Sequence, residues 1–166
     1  MDIETLKKTL GLIPLPQEGG FYAESYRSAE TLHPERLPSR YGTERSLATA
    51  IYFLLTRDSF SALHRLASDE VWHFYLGDPV EMLQLNADGA GRTVVLGTDL
   101  SRGMRPQAIV PRGVWQGARL LSGGNLALLG ATVSPGFEFA DFELASRDTL
   151  LAAYPQFARQ IETLTR

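Results

Sequence analysis

The chain has 166 residues, of which 44% are hydrophobic and 21% charged; its formal net charge is −3 and it has no cysteine. That length suits one domain over residues 1–166, and the slight acidity gives no electrostatic footprint for nucleic acid or an anionic membrane. Disulfide and thiol chemistry are excluded, and with no signal-peptide pattern and no apolar run of bilayer length the expected compartment is the cytoplasm.

Asp2 suits a helix N-cap, because its carboxylate can accept the free amides of a first turn. Ile3, Leu6 and Leu10 recur at helical spacing, and Gly11 suits the stop. Pro14 and Pro16 forbid continuation. Glu18-Gly19-Gly20 reads as a turn. Phe21 to Ser28 reads as a strand, with Tyr22, Glu24 and Tyr26 on one face and Phe21, Ala23 and Ser25 on the other. Residues 29–45 are polar, hold Pro34 and Pro38, and read as a loop with His33 solvated on it.

Leu47 to Leu55 has the β-branched and aromatic content of a buried strand. Residues 59–77 read as two short strands joined near Ala67-Ser68. Val80–Asn86, Arg92–Leu96, Gln107–Val110, Trp115–Leu120 and Asn125–Val133 complete the series. Short strands divided by Gly and Pro turns predict an all-β sandwich or barrel. Ser146 can open a helix at Arg147. Pro155 fits the first turn of a second helix, apolar along Phe157, Ile161 and Leu164.

Two of the three histidines, His64 and His73, fall within residues 59–77. Alternation along the second strand of that stretch puts Glu70, Trp72 and Phe74 on one face and Val71, His73 and Tyr75 on the other. The spacing of His64, Glu70 and Gly77, with Pro111, Gly113 and Gln116 downstream, resembles the paired motifs of the cupin superfamily. Leu66 and Gln116 stand where that pattern has its second and third histidines. The resemblance is closer to the uncharacterised fifth cupin family. It is carried by Glu18-Gly19-Gly20-Phe21, by His64-Arg65 with Asp69-Glu70-Val71-Trp72-His73, by Val110-Pro111 with Trp115-Gln116, and by Pro135-Gly136-Phe137 with Asp141-Phe142. It implies a cupin-type double-stranded β-helix, a jelly-roll barrel with short N- and C-terminal helices. It also implies a homodimer, a small-molecule ligand, and His64, Leu66, Glu70 and Gln116 facing inward.

Three readings of such a site are open. In the first, His64, Glu70 and the weaker amide oxygen of Gln116 hold a divalent metal loosely. In the second no metal takes part: His64 is the base, Glu70 its orienting partner, and Tyr22 or Tyr26 the acid. Gly20-Phe21-Tyr22-Ala23-Glu24 is similar to an N-terminal phrase of metal-independent cupin sugar epimerases. That likeness implies an isomerase- or epimerase-like enzyme on a sugar-like or other polar carbonyl compound, with Glu24 lining the pocket. Trp72, Phe74, Trp115 and Gln116 complete the expected ligand-binding set. In the third reading His64 and Glu70 are a structural pair in a protein that binds or senses a ligand without chemistry. Asp141 reads as a solvent-facing strand residue, and Arg65 and Arg112 as surface ion-pairing groups.

Overall fold

Asp2 caps the first helix, α1 (Ile3–Leu10), accepting the Thr5 amide at 2.8 Å, and Gly11 ends it in the left-handed region. The computed structural model describes residues 2–166. After α1 come β1 (Ile13–Pro14), β2 (Phe21–Arg27), β3 (Thr31–Leu32), β4 (Arg45–Ser46), β5 (Thr49–Thr56), β6 (Ser61–Leu66) and β7 (Asp69–Gly77). There follow β8 (Val80–Leu85), β9 (Gly91–Leu96), β10 (Gln107–Val110), β11 (Trp115–Leu120), β12 (Leu126–Ser134) and β13 (Phe142–Leu144). Helices α2 (Arg147–Ala153) and α3 (Ala158–Thr163) close the chain.

The strands build a six-stranded sheet, β1-β2-β5-β12-β7-β10, and a five-stranded sheet, β13-β6-β11-β8-β9. Successive strands such as β5 and β6, or β7 and β8, lie in different sheets, so the chain wraps between them in the jelly-roll manner. The two sheets do not close into one barrel. Between β9 and β10 a single bridging pair, Leu96 with Arg105, takes the place of a ladder.

The inner faces enclose a core that includes Phe53, Trp72 and Leu129 from one sheet and Met82, Leu96 and Ala118 from the other. Alternation decides which residues enter it: along β7 Glu70, Trp72 and Phe74 are buried, while Val71, His73 and Tyr75 turn outward. The helices cover outer faces. Leu6 of α1 packs with Leu54 and Leu128, and Leu150 of α2, Ile161 of α3 and Leu164 just past α3 pack with Leu63 and Leu83. Ser146 stands at the start of α2, but its hydroxyl makes no capping bond. Pro155 opens a 3-10 turn that leads into α3.

The polar stretch 29–45 is fastened down. His33 is exposed as expected, but Arg45 is only 2% exposed. Its Nε and Nη2 donate to Asp141 Oδ2 and Oδ1 at 2.8 and 2.6 Å, and Nη1 donates to the carbonyls of Thr43 and Glu44, each at 2.9 Å. Asp141 is therefore not the solvent-facing strand residue expected. It ends a 3-10 turn (Phe139–Asp141), which points its carboxylate inward to the arginine. Arg65 does make a surface ion pair, with Glu143 at 2.8 Å.

Candidate functional site

A cavity of about 330 Å³ opens between the sheets, walled by β2, β6, β7, β12, the turn before β2 and the segment from Phe137 to Phe142. His64 enters it from β6. Its Nδ1 lies 2.7 Å from the Ala62 carbonyl, which can only accept, so Nδ1 carries the proton and Nε2 keeps its lone pair. Nε2 opens on the cavity, with Glu18 Oε2 its nearest ionic neighbour at 4.0 Å. The ring stacks on Phe142, with centroids 5.0 Å apart. Burial lowers the imidazole pKa below its ordinary value, against the opposing charge of Glu70.

Glu70 enters from β7. Its Oε2 accepts from Gln116 Nε2 at 2.5 Å, and Gln116 Oε1 accepts from Trp72 Nε1 at 2.8 Å. Burial pushes the Glu70 carboxyl up to about 7, with the nearby charge of Glu18 adding to the shift and that of His64 opposing it.

Glu18 is the site residue that the sequence reading missed, placing it only in a turn. Burial pushes its carboxyl up to about 7 as well, and Ser61 Oγ donates to Oε1 at 2.7 Å. The turn is pressed against the start of β6: Ala62 N donates to the Glu18 carbonyl at 2.8 Å, and a Cβ on Gly19, at φ 101°, would run into the Phe60 carbonyl. Gly19 is thus what lets Glu18 reach the cavity. The available signal was the phrase Glu18-Gly19-Gly20-Phe21.

These shifts make stability fall with rising pH. In the unfolded chain the two carboxyls ionise near 4.5, whereas in the fold they hold their protons to about 7. The fold binds more protons between those values, so each carboxyl removes on the order of 1.4 kcal/mol per pH unit across that window. His64 acts oppositely below 6.5, where the unfolded chain takes up a proton that the buried ring resists. Two carboxyls outweigh one imidazole. Glu70→Gln is expected to raise the thermal midpoint at pH 8 and to lose that advantage toward pH 5. A gain independent of pH would refute the assignment.

Of the expected site residues, Tyr22, Glu24, His64 and Glu70 reach the cavity wall, together with Leu66. Tyr26 does not. The ladder with β5 skips Ser25, pairing Glu24 with Ile51 and Tyr26 with Ala50. This bulge reverses the facing, leaving Tyr26 56% exposed and turning Arg27 to the cavity. Trp72 and Phe74 share the face of Glu70 but leave the cavity, because every second residue advances about 6.6 Å along a strand. Trp72 meets Phe53 edge-on in the core. Trp115 faces the other way, under Arg65, whose guanidinium lies 4.4 Å from the ring centre. Gln116 lies behind Glu70 rather than on the wall.

A divalent metal fits this donor set poorly. The Gln116 amide oxygen is occupied by Trp72, and Leu66 offers nothing. Among the described residues no group of three or more His, Cys, Asp or Glu has metal-holding geometry. Nor is any helix among them long and apolar enough to cross a membrane.

The fold recurs in known proteins. Protein SO0799 of Shewanella oneidensis superposes with a TM-score of 0.88 at 38% identity, over 100% of this chain and 98% of its own. A hypothetical protein from Leishmania major gives 0.86 at 34%, covering 99% of both. The uncharacterized protein YML079W of Saccharomyces cerevisiae is 30% identical over 134 residues, which is 75% of this chain and 66% of that protein, so the chain spans just under two thirds of it. Oxalate decarboxylase of Bacillus subtilis, an enzyme with Mn(II) centres, matches at a TM-score of 0.54 and 13% identity over 92% of this chain and 37% of its own, a likeness of fold alone. The family model described as cupin superfamily (DUF985) matches residues 4–145, and the chain belongs to that family.

Proposed function

We propose that the cavity is the active site of a metal-independent isomerase or epimerase acting on a small polar carbonyl compound. The observation that carries this reading is His64, whose Nδ1–H is held by the Ala62 carbonyl while Nε2 opens beside two carboxyls poised near neutrality. Nε2 takes a proton from the carbon next to the carbonyl, and the C–H electron pair becomes the enol double bond. The Tyr22 hydroxyl, reaching in from the facing sheet, gives its proton to the carbonyl oxygen. Return of the proton from His64 to the neighbouring carbon gives the isomer; protonation of the opposite face by the acid form of Glu18 or Glu70, which then recovers a proton from His64, gives the epimer, and the enol returns the tyrosine proton. The imidazolium formed on the way is stabilised by whichever of Glu70 and Glu18 is ionised.

The test is a panel of small carbonyl compounds incubated in D2O, with deuterium at the exchangeable carbon read by NMR. One compound class is expected to exchange, at a rate unaffected by prior treatment with a chelator. Loss on chelation, restored by Mn2+ or Zn2+, would move the chemistry to a weak metal site. A ligand that binds tightly and never exchanges would favour a binding or sensing protein.

The pairing of two copies through the outer face of the six-stranded sheet belongs to the same proposal. Its support is the exposure there of Tyr75 and Ile109 beside His73. Light scattering should give twice the 18.3 kDa chain mass, and Ile109→Lys should return the single chain. A parent that is monomeric would refute the pairing.

A further inference from the structure

Three acceptor atoms in the cavity accept no well-formed hydrogen bond from the protein. They are His64 Nε2, Glu18 Oε2 and Glu70 Oε1, since Ser61 and Gln116 bind only the other oxygen of each carboxyl. Trp72 Nε1, which also approaches Glu70, is aligned on Gln116 Oε1. His64 and Glu70 are 2% and 6% exposed, yet no fully enclosed side-chain nitrogen or oxygen among the described residues lacks a partner. The open atoms therefore face the cavity space.

The donors on the wall do not match them. Arg27 spends four of its five N–H donors within the protein: Nε and Nη2 donate to Glu24 at 3.0 and 2.8 Å, Nη1 donates to Glu138 at 2.8 Å, and Nη2 also reaches the Phe137 carbonyl at 3.2 Å. The other donors are neutral, the hydroxyls of Tyr22 and Thr49 and the amide of Gln17. The ionisable wall comprises Glu18 from the turn, Tyr22, Glu24 and Arg27 from β2, His64 from β6, Glu70 from β7 and Glu138 from the 137–142 segment. One cation thus faces four carboxyl groups. Between them the wall is apolar and partly aromatic, with Ile51, Leu66, Phe137 and Phe142 prominent.

We infer that the ligand is a small primary amine, bound as its ammonium ion between Glu18 and Glu70 with its apolar body against Phe137 and Phe142. This deepens the proposed function and rests on its choice of cavity, naming the substrate class as a carbonyl compound that bears an amine. An ammonium brings three donors and one positive charge to a place that offers open acceptors. The aromatic walls favour it further. A carboxylate or phosphate would meet groups of its own sign, and the one cation on the wall already has its charge paired with Glu24 and Glu138, so its desolvation would go largely uncompensated. One positive charge ionises one of the two carboxyls. The other stays available as the acid that protonates the opposite face in turnover.

Three probes of one size and shape test this: benzylammonium, benzyl alcohol and benzoate, titrated calorimetrically into the full chain. At pH 8 benzylammonium should bind at least ~10-fold tighter than benzyl alcohol, and benzoate should not bind at ~50 mM. Lowering the pH to 6 should weaken benzylammonium about tenfold, because a carboxyl near 7 must first lose its proton. Glu18→Gln should weaken it at least ~10-fold while the far-ultraviolet circular dichroism is kept, and Glu70→Gln is the second variant should the first fail to fold. Equal or tighter binding of the alcohol or benzoate overturns the inference. So does no binding of benzylammonium, or affinity unchanged in both variants. Ammonium binding with no carbonyl compound exchanging would sink the reaction and leave the ligand class standing. Exchange confined to neutral or anionic carbonyl compounds would do the reverse.

Discussion

His64→Gln should lower deuterium exchange into the responsive carbonyl compound by about 10²- to 10⁴-fold while leaving the fold intact. A glutamine amide can still donate to the Ala62 carbonyl and fill much of the imidazole's space. It cannot accept a proton near neutral pH. His64→Ala should lose as much activity and in addition leave a void under Phe142, so a similar loss in both variants marks the chemistry rather than the packing. Circular dichroism and thermal midpoint supply the check on folding. The pH profile is a second readout. The parent should lose activity on the acid side as Nε2 takes up a proton, with the midpoint below the ordinary histidine value because the ring is buried. Turnover retained in either variant removes His64 from the role of base.

Asp141→Ala should destabilise the protein by about 3–5 kcal/mol, because it strands the Arg45 guanidinium in the interior. In a chain of this size that corresponds to a fall in thermal midpoint of roughly 10 °C or more. Both side chains are nearly sealed from solvent, at 2% and 5% exposure, and two hydrogen bonds join them in a fork. The Arg65–Glu143 pair has the same fork but stands in solvent, and Glu143→Ala should cost less than about 1 kcal/mol. Replacing both buried partners with apolar residues, as in Arg45→Met with Asp141→Leu, should recover most of the loss. The segment that carries Asp141 also presents Phe137, Glu138 and Phe142 to the cavity, so ligand affinity should fall along with stability in Asp141→Ala. A midpoint within 2 °C of the parent would show that water reaches the pair.

The strands were legible because their signals are local. Periodicity placed β10 and β11 to the residue, and the parity of Glu70, Trp72 and Phe74 followed from the pleat alone. The inward placement of His64 and Glu70 came with the spacing they share with cupins. What escaped depends on contacts between distant parts of the chain. Glu18 reaches the cavity only because its turn rests on β6, a contact that the phrase Glu18-Gly19-Gly20-Phe21 announces only as a turn. Arg45 looks like any loop arginine until its partner 96 residues later is known. Trp72 and Phe74 had the right facing, but alternation specifies a side of the sheet and not a depth along it. Gln116 likewise pointed inward as expected, yet its amide was already committed to Trp72 and Glu70.

The irregularity at Ser25 gives the entrance of the cavity an unusual genetic tolerance. Ser25 is the residue of β2 that the ladder with β5 passes over, and its neighbours pair as though it were not there. Loss of the single codon for Ser25 would restore even pairing while keeping Tyr26 opposite Ala50 and Arg27 opposite Thr49, so the doorway would stay charged. The tether to Glu138 would stay with it. A deletion at this one place would spare the doorway, whereas substitutions at position 27 would retune it directly. Relatives aligned through this strand without allowance for a gap would have their entrance residues assigned to the wrong face.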